Sequence, residues 1–580
     1  MHYAYIALIA KADGSPGEAE YPPAHLLQAL DLEPRGRVGC MTVFAPEWTP
    51  TLALPDGSMI IGDLYGEYGS PIWEWDTRSP CPRSRELRQH LLEHYWGEYL
   101  LLQPPEMGDD RTTVMRDPTA GVACAYSLQG DRGFMTSDLS IASRLGLYQA
   151  QVDWDFVRHC LVYPHLKTAR TGLAGVSELL PGCTLATNGQ TVSIETAWSP
   201  WRFVAAPERL QDFDTAAQTV RDALVLAVET MAYTDGDILL ELSGGLDSSI
   251  VGACLEAAEG RLVCCTAVTP LPGADERRYA GQVAAQLGVA LQEQMLDFEG
   301  TDIDFPLPTH SLRPAVWVLG HAVGRAMDAV GDRMRAASHY SGSGGDTVFG
   351  YLKTAAPAAD AVRERGMTAG YRVITDLARL HGCTLAKAAR LTARKLSARP
   401  KPPCKPNASL LCGIDETLAY ERHPWHEAPE AALPGDRERI FDLASNQLFM
   451  DATLRAGGRR VRMPLLSQPV MEACLRAPAW MWIAGGRNRA VVRAAFSKHL
   501  PADVLNRRSK GSFLNYTFGI YVRNKPAIRE FLLDGHLHAQ GLIDARALDE
   551  FLGRPFAARD RSFMRVFDLC MIENWVRNHA

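Results

Sequence analysis

The chain has 580 residues, of which 47% are hydrophobic and 22% are charged, and its formal net charge at pH 7 is −7. This length is too great for one compact core and predicts at least two domains. The composition is that of an ordinary globular protein, and the negative charge excludes a general attraction to nucleic acid or to anionic lipid.

The cysteines and the N-terminal segment indicate the compartment. The thirteen cysteines include neither a CxxC pair nor a Cys/His cluster with zinc spacing, which predicts buried thiols in a reducing compartment. The N-terminal segment lacks the basic region and cleavage site of a signal peptide, and no segment holds the long apolar run that a membrane span requires. The sequence therefore predicts a cytoplasmic protein with no membrane or nucleic-acid partner.

Residues 1 to about 201 contain short apolar runs, such as HYAYIALIA and GSMIIGDLYG, which often alternate with polar residues. Gly, Pro and Asp interrupt these runs. Such a pattern favours β-strands, so this part of the chain predicts a β-rich layer.

The pattern then changes to alternating helices and strands. Apolar residues from Phe213 to Tyr233 have helical spacing, and the apolar run DILLEL follows them. The run RLVCCTAV and helical segments near residues 274–287 and 316–330 come next. This alternation predicts a doubly wound parallel sheet. We therefore predict a two-domain protein of the α/β and α+β classes, with residues 1–205 in the first domain and residues 206–580 in the second.

The segment from Ala386 to Asn407 is rich in Lys, Arg and Pro. This composition predicts a helix that passes into an extended loop. Because charged runs are usually solvated, an exposed surface is favoured over a partner-docking role.

The strongest motif is LSGGLDSS, which lies between a predicted strand and a predicted helix. Its glycines let the backbone approach an anion, and the amides at the start of the helix point toward that anion. With its serine hydroxyls the string predicts a phosphate cradle, against the alternative of an ordinary glycine turn with a helix cap. Its aspartate would repel a bare phosphate, so it predicts bound Mg²⁺. The predicted nucleotide-binding residues here are Leu242, Ser243, Gly244, Gly245, Asp247, Ser248 and Ser249.

Two weaker strings follow. The first, from Ser341 to Asp346, has three glycines beside one acid and suggests backbone that curves round a charged ligand. The second, from Arg507 to Phe513, is a basic cluster that includes Lys510. Taken alone, the first is as consistent with a glycine-rich surface turn, and the second with a solvated face.

Taken together, the three strings resemble the asparagine synthetase superfamily. LSGGLDSS looks like the pyrophosphatase loop of N-type ATP pyrophosphatases, and the chain has no GxxxxGK[ST] loop. The resemblance implies ATP as substrate and a Mg²⁺ ion shared by Asp247 and Asp346. It also implies that Lys510 stabilises charge at the reaction centre. Further implied nucleotide contacts are Ser341, Gly342 and the backbone of Val268.

The N-terminal third resembles the glutaminase domain of asparagine synthetases. The segments that carry the resemblance occur in the family's order: Trp96–Tyr99, Arg116–Gly121, Thr136–Asp138 and Leu180–Gly182. This implies an Ntn-type β-sandwich. The family's nucleophile is a cysteine directly after the initiator methionine, whereas this chain has His2. Because an imidazole cannot form the glutamyl thioester, the domain is expected to lack glutaminase activity.

The chain departs from asparagine synthetases at a second position, and four further segments indicate which members of the superfamily it resembles most. Where asparagine-forming enzymes have a glutamate and β-lactam synthetases a tyrosine, three residues before Asp346, this chain has Ser343, so the group that takes the amine's proton is left open. The segments that look most like lasso peptide cyclases are His423–His426, Pro464–Pro469, Gly485–Arg487 and Arg507–Gly511.

Resemblance to lasso peptide cyclases implies a specific reaction. A side-chain Asp or Glu of a ribosomally made core peptide is adenylated, and the peptide's N-terminal amine closes a macrolactam with release of AMP and pyrophosphate. Leader-binding and protease proteins are the expected partners. The alternatives are a β-lactam or carbapenam-type synthetase for a small amino acid, and a non-catalytic scaffold that binds ATP.

Two smaller groups of residues allow two interpretations each. Asp275 and Glu276 are expected mainly as acids in the first turn of a helix, where the helix dipole favours them. The residues His423, Trp425 and His426 either line a peptide site or form a packed aromatic corner.

Overall fold

A computed structural model of the protein describes residues 3–10, 22–76, 81–128, 133–255, 261–271, 275–299, 301–308, 311–351, 353–413, 418–452, 459–507, 511–557 and 560–580. Within these residues the N-terminal third forms two antiparallel sheets, and the remainder forms a parallel sheet surrounded by helices. No helix in the described part of the chain is long and apolar enough to cross a membrane.

The two antiparallel sheets pack face to face. Alternate side chains of neighbouring strands point into a shared core that includes Ala7, Ile9, Leu100 and Leu102, as period-two patterns require. The strands are β1 (Ile6–Ile9), β2 (Glu33–Val38), β3 (Met41–Ala45), β4 (Thr51–Ala53), β5 (Met59–Gly66), β6 (Tyr95–Gln103), β7 (Thr112–Arg116), β8 (Ala125–Ser127), β9 (Gly133–Thr136), β10 (Ser177–Glu178), β11 (Cys183–Thr187) and β12 (Val192–Thr196). Their orders are β10-β8-β9-β1-β3-β2 and β12-β11-β7-β6-β5-β4. The helices of this part are α1 (Ala24–Ala29), α2 (Ser84–His94), α3 (Leu139–Arg144) and α4 (Trp154–Val162).

The parallel sheet has the order β15-β14-β13-β16-β17. Its strands are β13 (Ile238–Glu241), β14 (Leu262–Val268), β15 (Leu291–Met295), β16 (Ser338–Ser341) and β17 (Arg460–Arg462), and a small hairpin is formed by β18 (Ile483–Ala484) and β19 (Arg487–Asn488). The helices are α5 (Phe213–Asp235), α6 (Leu246–Leu255), α7 (Arg277–Gln286), α8 (Val318–Met334), α9 (Gly345–Val348), α10 (Ala356–Arg365), α11 (Met367–Leu380), α12 (Leu385–Ser397), α13 (Pro434–Ala452), α14 (Gln468–Arg476), α15 (Ala490–Ala495), α16 (Ala502–Asn506), α17 (Leu514–Arg523), α18 (Lys525–Leu533), α19 (His536–Ala539), α20 (Ala545–Gly553) and α21 (Met564–Arg577).

The order in which successive strands are added to the sheet reverses at β13. This strand pairs with β14 on one side and with β16 on the other, both in parallel. The loops that follow β13 and β16 therefore start side by side at the carboxyl edge of the sheet and then turn away from each other. In open α/β sheets this switch point is where ligands bind.

The predicted parallel sheet and its apolar strands are confirmed, as is the long helix that precedes β13. The edge strands β15 and β17 were not predicted, because their sequences LQEQM and RVR lack an apolar run. The segment that begins at Ala386 forms α12 and then continues without regular structure to Asn407. Helix α12 buries Ala388 and Thr392 and exposes most of its other residues, in agreement with the predicted exposed surface. The domain boundary near residue 205 stays a prediction.

A buried ion cluster joins the N-terminal sheets to the parallel sheet. Arg462, which is fully buried, donates to Glu98 at 2.5 Å and to Asp235 at 2.8 Å. Arg460 donates to Asp63 at 2.5 Å and to Asp235 at 2.8 Å. Since buried charges are tolerated only when paired, three carboxylates and two guanidiniums must be assembled together when the halves pack.

The segment His423–His426 lies in a packed corner rather than on an open surface. It forms a 3₁₀ turn in which Trp425 is buried and contacts Trp198 with ring centroids 5.3 Å apart. His423 is fully buried, accepts from the backbone N–H of Trp425 at 3.1 Å and lies 2.9 Å from the side-chain oxygen of Gln447. Burial lowers the pKa of His423 to about 3 and that of His426 to about 4.

Replacing Arg462 by Met should lower the free energy of unfolding by about 3–5 kcal/mol, because it leaves buried carboxylates without their cation. The measurement is the midpoint of urea unfolding. Arg158→Met, at an exposed arginine paired with Asp155, is the control and should cost less than about 1 kcal/mol. Equal midpoints for Arg462→Met and the wild type would show that the cluster does not hold the halves together.

The two buried histidines predict a loss of stability in mild acid. Their pKa values are lower in the folded than in the unfolded protein, so below about pH 6.5 the unfolded chain binds protons that the folded chain does not. Stability should fall by about 1.4 kcal/mol per pH unit for each histidine between about pH 6 and pH 4. His423→Gln should have a shallower slope, whereas His381→Gln, at an exposed position, should keep the wild-type slope. Identical slopes for all three proteins would contradict this account.

Candidate active site

A cavity of about 260 Å³ opens at the carboxyl edge of the parallel sheet, at the switch point beside β13. The loop after β13 forms one wall and the loop after β16 forms the facing wall. The residues that line it are Glu241, Ser243, Gly245, Leu246, Asp247, Ser248, Glu276, Ser341, Gly342, Ser343, Gly344, Gly345, Asp346, Arg489, Arg493, Val504 and Arg507. The structure thus brings the first two predicted strings together round one space.

The loop after β13 has the form of an anion cradle. Gly244 has φ +74°, and a Cβ atom there would lie 2.7 Å from the backbone nitrogen of Ala280, so this position requires glycine. The hydroxyls of Ser243 and Ser248 lie 3.1 Å apart, and the Gly245 N–H donates to Ser243 Oγ at 3.3 Å. The loop ends at the N-terminus of α6, where free amides favour a phosphate.

Four of the predicted nucleotide-binding residues do not line the cavity. Leu242 is fully buried in the core. Gly244 packs against the backbone of Ala280. The Ser249 hydroxyl is fully buried and donates to Gly245 O at 2.7 Å, and its contact with the nucleotide stays a prediction. Val268 ends β14, and its carbonyl accepts from Leu296 N at 2.7 Å.

Glycines let the second loop pack directly on the first. A Cβ atom on Gly342 would lie 2.5 Å from the backbone nitrogen of Ser248, and one on Gly345 would lie 2.5 Å from Cβ of Asp247. Larger residues would therefore separate the two loops. This close approach places Asp346 beside Asp247.

One guanidinium bridges the two predicted metal acids. Arg489 Nη1 lies 2.6 Å from Asp247 Oδ1 and 3.2 Å from Asp346 Oδ1. The two carboxylates therefore converge on a single positive charge. Their oxygens, with the nearby serine hydroxyls, are the hard donors that Mg²⁺ prefers, so the site fits the predicted metal.

Two further arginines line the cavity. Arg507 pairs with Glu276 and lies over the ring of Tyr279, 4.1 Å from its centroid. Arg493 donates to Asn488 O at 3.0 Å. Burial, together with the neighbouring arginines, lowers the pKa of Arg493 to about 10, so it stays charged at neutral pH. Arg507 also donates to Gly244 O of the serine loop at 3.4 Å, so its charge lies beside the phosphate cradle.

The cavity also contains residues that sequence reasoning missed. Glu276 was expected mainly as a helix-start acid, but it lines the cavity and accepts from Gly511 N at 2.5 Å. Arg489, Arg493 and Glu241 were not singled out. An acid that ends an apolar strand, as Glu241 does in DILLEL, is a signal that could have been used, whereas nothing local marks Arg489. Lys510 and His2 lie outside the described residues, so their roles remain predictions.

Replacing Arg489 by Met should strengthen cation binding by the two acids. The guanidinium and a metal ion compete for the same oxygens, and a unit charge about 4 Å away contributes about 1–4 kcal/mol. We expect Mn²⁺ to bind at least about tenfold more tightly without nucleotide, as measured by electron paramagnetic resonance. Exposed Arg487→Met is the control and should behave as the wild type. Unchanged Mn²⁺ affinity in Arg489→Met would show that Asp247 and Asp346 are not metal ligands.

Neither curated proteins nor solved structures assign the chain to a family. A search of curated proteins finds no match. Two solved structures share 10% identity with the chain: glutamine phosphoribosylpyrophosphate amidotransferase from B. subtilis complexed with ADP and GMP (52% of this chain, 83% of that chain, TM-score 0.21), and one titled the allosteric regulatory enzyme of purine biosynthesis (53%, 76%, TM-score 0.18). At such low scores the likeness supports no conclusion.

The asparagine synthase family model matches residues 219–577, which is more than half of the chain. The matched part contains β13, β16 and the cavity between them, with Asp247, Asp346 and Arg489. Members of this family are ATP-dependent carbon–nitrogen ligases that form AMP and pyrophosphate, and this chain belongs to the asparagine synthase family.

Proposed function

We propose that the protein is a lasso peptide cyclase, which closes a macrolactam between a side-chain carboxylate and the N-terminal amine of a core peptide. One observation carries the ligase part of this proposal: two acids converge on one guanidinium at the switch point, beside a phosphate cradle. A scaffold that only held ATP would have no evident use for the second acid. The proposal includes leader-binding and protease partners and no glutaminase step.

The arrangement of the cyclase-like segments supports the peptide substrate. Leu466, in one of these segments, packs against Gly344 of the second loop. Gly486, in another, donates its N–H to Asp376 at 2.9 Å and begins the turn that leads to Arg489. Arg507, in a third, lines the cavity. Two of the four segments that resemble lasso peptide cyclases thus contact the candidate site, a third precedes Arg489 in the chain, and the fourth, His423–His426, is packed in the core.

The geometry suggests how these residues would perform adenylation. The amides and hydroxyls of Ser243 and Ser248 would bind the phosphates, and Asp247 and Asp346 would hold Mg²⁺. The ion would neutralise charge on the departing pyrophosphate. Arg493 and Arg507 would stabilise the negative charge that develops as the carboxylate oxygen bonds to the α-phosphate and the bond to pyrophosphate breaks.

Ring closure would follow in the same cavity. The peptide's amine forms a bond to the activated carbonyl carbon, the bond to AMP breaks, and one proton leaves the nitrogen. Lys510 would stabilise the oxyanion of the tetrahedral intermediate. Because the amine and the carboxylate belong to one chain, binding the folded peptide in the right geometry would supply much of the rate acceleration.

Mass spectrometry of the protein incubated with MgATP and a leader-free core peptide tests the proposal. We expect the peptide to lose one water while AMP forms in equal amount. Asp247→Ala should lower AMP formation at least about 100-fold, because the metal loses a ligand. Asp155→Ala, at an exposed acid, is the control and should retain full activity. An unmodified peptide, with AMP released from ATP only when a small amino acid is added, would assign the protein as a small-molecule synthetase.

A further inference from the structure

Glu241 ends the central strand and lies in the wall of the cavity. Its Oε2 accepts a hydrogen bond from Ser341 Oγ at 3.4 Å and lies 3.6 Å from Nε2 of His339. Ser341 Oγ in turn lies 2.9 Å from Ser343 Oγ. Glu241, Ser341 and Ser343 thus form a hydrogen-bonded series that begins at a carboxylate and ends at a hydroxyl in the cavity wall.

Sheet register fixes this series. Glu241 is the direct partner of Ser341, and Leu239 is the partner of His339, in the parallel pair of β13 and β16. Side chains of paired residues share a face of the sheet, and residues two apart along a strand do so too. His339, which is 1% exposed, therefore lies behind the carboxylate, while Ser341 lies beside it.

Glu241 is distinct from the metal acids. Among the residues that the structure describes, no three His, Cys, Asp or Glu side chains come together as a possible metal site. Asp247 and Asp346 meet at Arg489, whereas Glu241 contacts Ser341 and lies beside His339. A carboxylate beside the phosphate cradle, yet outside the metal pair, has no role in the adenylation described above.

We propose that Glu241 accepts the proton that the attacking amine loses, through the hydroxyls of Ser343 and Ser341. As the nitrogen bonds to the carbonyl carbon, Ser343 takes the amine proton and passes its own to Ser341, which passes its own to Glu241. The carbon–oxygen bond to AMP then breaks, and AMP leaves with the electron pair. A serine hydroxyl is too weak a base to do this alone, so a carboxylate behind it is needed.

This inference rests on the proposed ligation, and its test separates the two half-reactions. Exchange of labelled pyrophosphate into ATP in the presence of the core peptide reports adenylation, and the dehydrated peptide reports ligation. Glu241→Gln should keep exchange within about threefold of the wild type and should lower ligation about 100-fold or more, a typical contribution of a positioned base. Ser343→Ala should show the same pattern, because it removes the hydroxyl that first takes the amine proton.

Chemical rescue distinguishes proton transfer from a structural role. Formate added to Glu241→Ala should raise ligation at least about tenfold, because a small carboxylate can enter the vacated volume and accept the proton. Formate should not change ligation by Glu293→Gln, the matched control at an exposed acid of the same sheet. Rescue would not occur if Glu241 merely held the loops in place.

Three results would overturn the inference. Ligation by Glu241→Gln at the wild-type rate would show that another group takes the proton. An equal loss of exchange and ligation, with no formate rescue, would assign Glu241 to nucleotide binding or folding. Wild-type protein that exchanges pyrophosphate but never dehydrates the peptide would refute the proposed cyclase function, and the role of Glu241 in ligation with it.

Discussion

The site depends on one topological constraint, the reversal of strand order at β13. Because β14 and β16 lie on opposite sides of β13, the loops after β13 and β16 start side by side and turn apart. The space between them is the cavity. Every candidate residue on these loops owes its position to this reversal, and the two acids could not meet if β16 paired elsewhere.

Small residues convert that topology into a chemical site. Gly342 and Gly345 allow the second loop to contact the first at backbone distance. A side chain added at either position would therefore separate Asp346 from Asp247. The turn after β19 then supplies Arg489 from a third direction. The cavity is thus preorganised by packing, and Arg489 holds the two acids together before any ligand binds.

How much could be predicted from sequence differs between the fold and the site. Apolar strands and the string LSGGLDSS carry local patterns, so the parallel sheet and the position of the loop after β13 could be predicted, whereas Asp346 was singled out only through the family resemblance. Edge strands tolerate polar sequences, which is why β15 and β17 were missed. The partners of the acids were missed for another reason: Arg489 lies about 240 residues along the chain from Asp247, and only tertiary packing brings the two together.

The buried ion cluster between the halves has a consequence for the evolution of the chain. Asp63 and Glu98 come from the N-terminal sheets, whereas Arg460 and Arg462 come from β17. A shortened descendant without those sheets would leave two guanidiniums with Asp235 as their remaining carboxylate in the cluster, and several compensating substitutions would be needed at once. Natural selection would therefore keep the N-terminal third as the source of these counter-charges even in a lineage where that third catalyses no reaction.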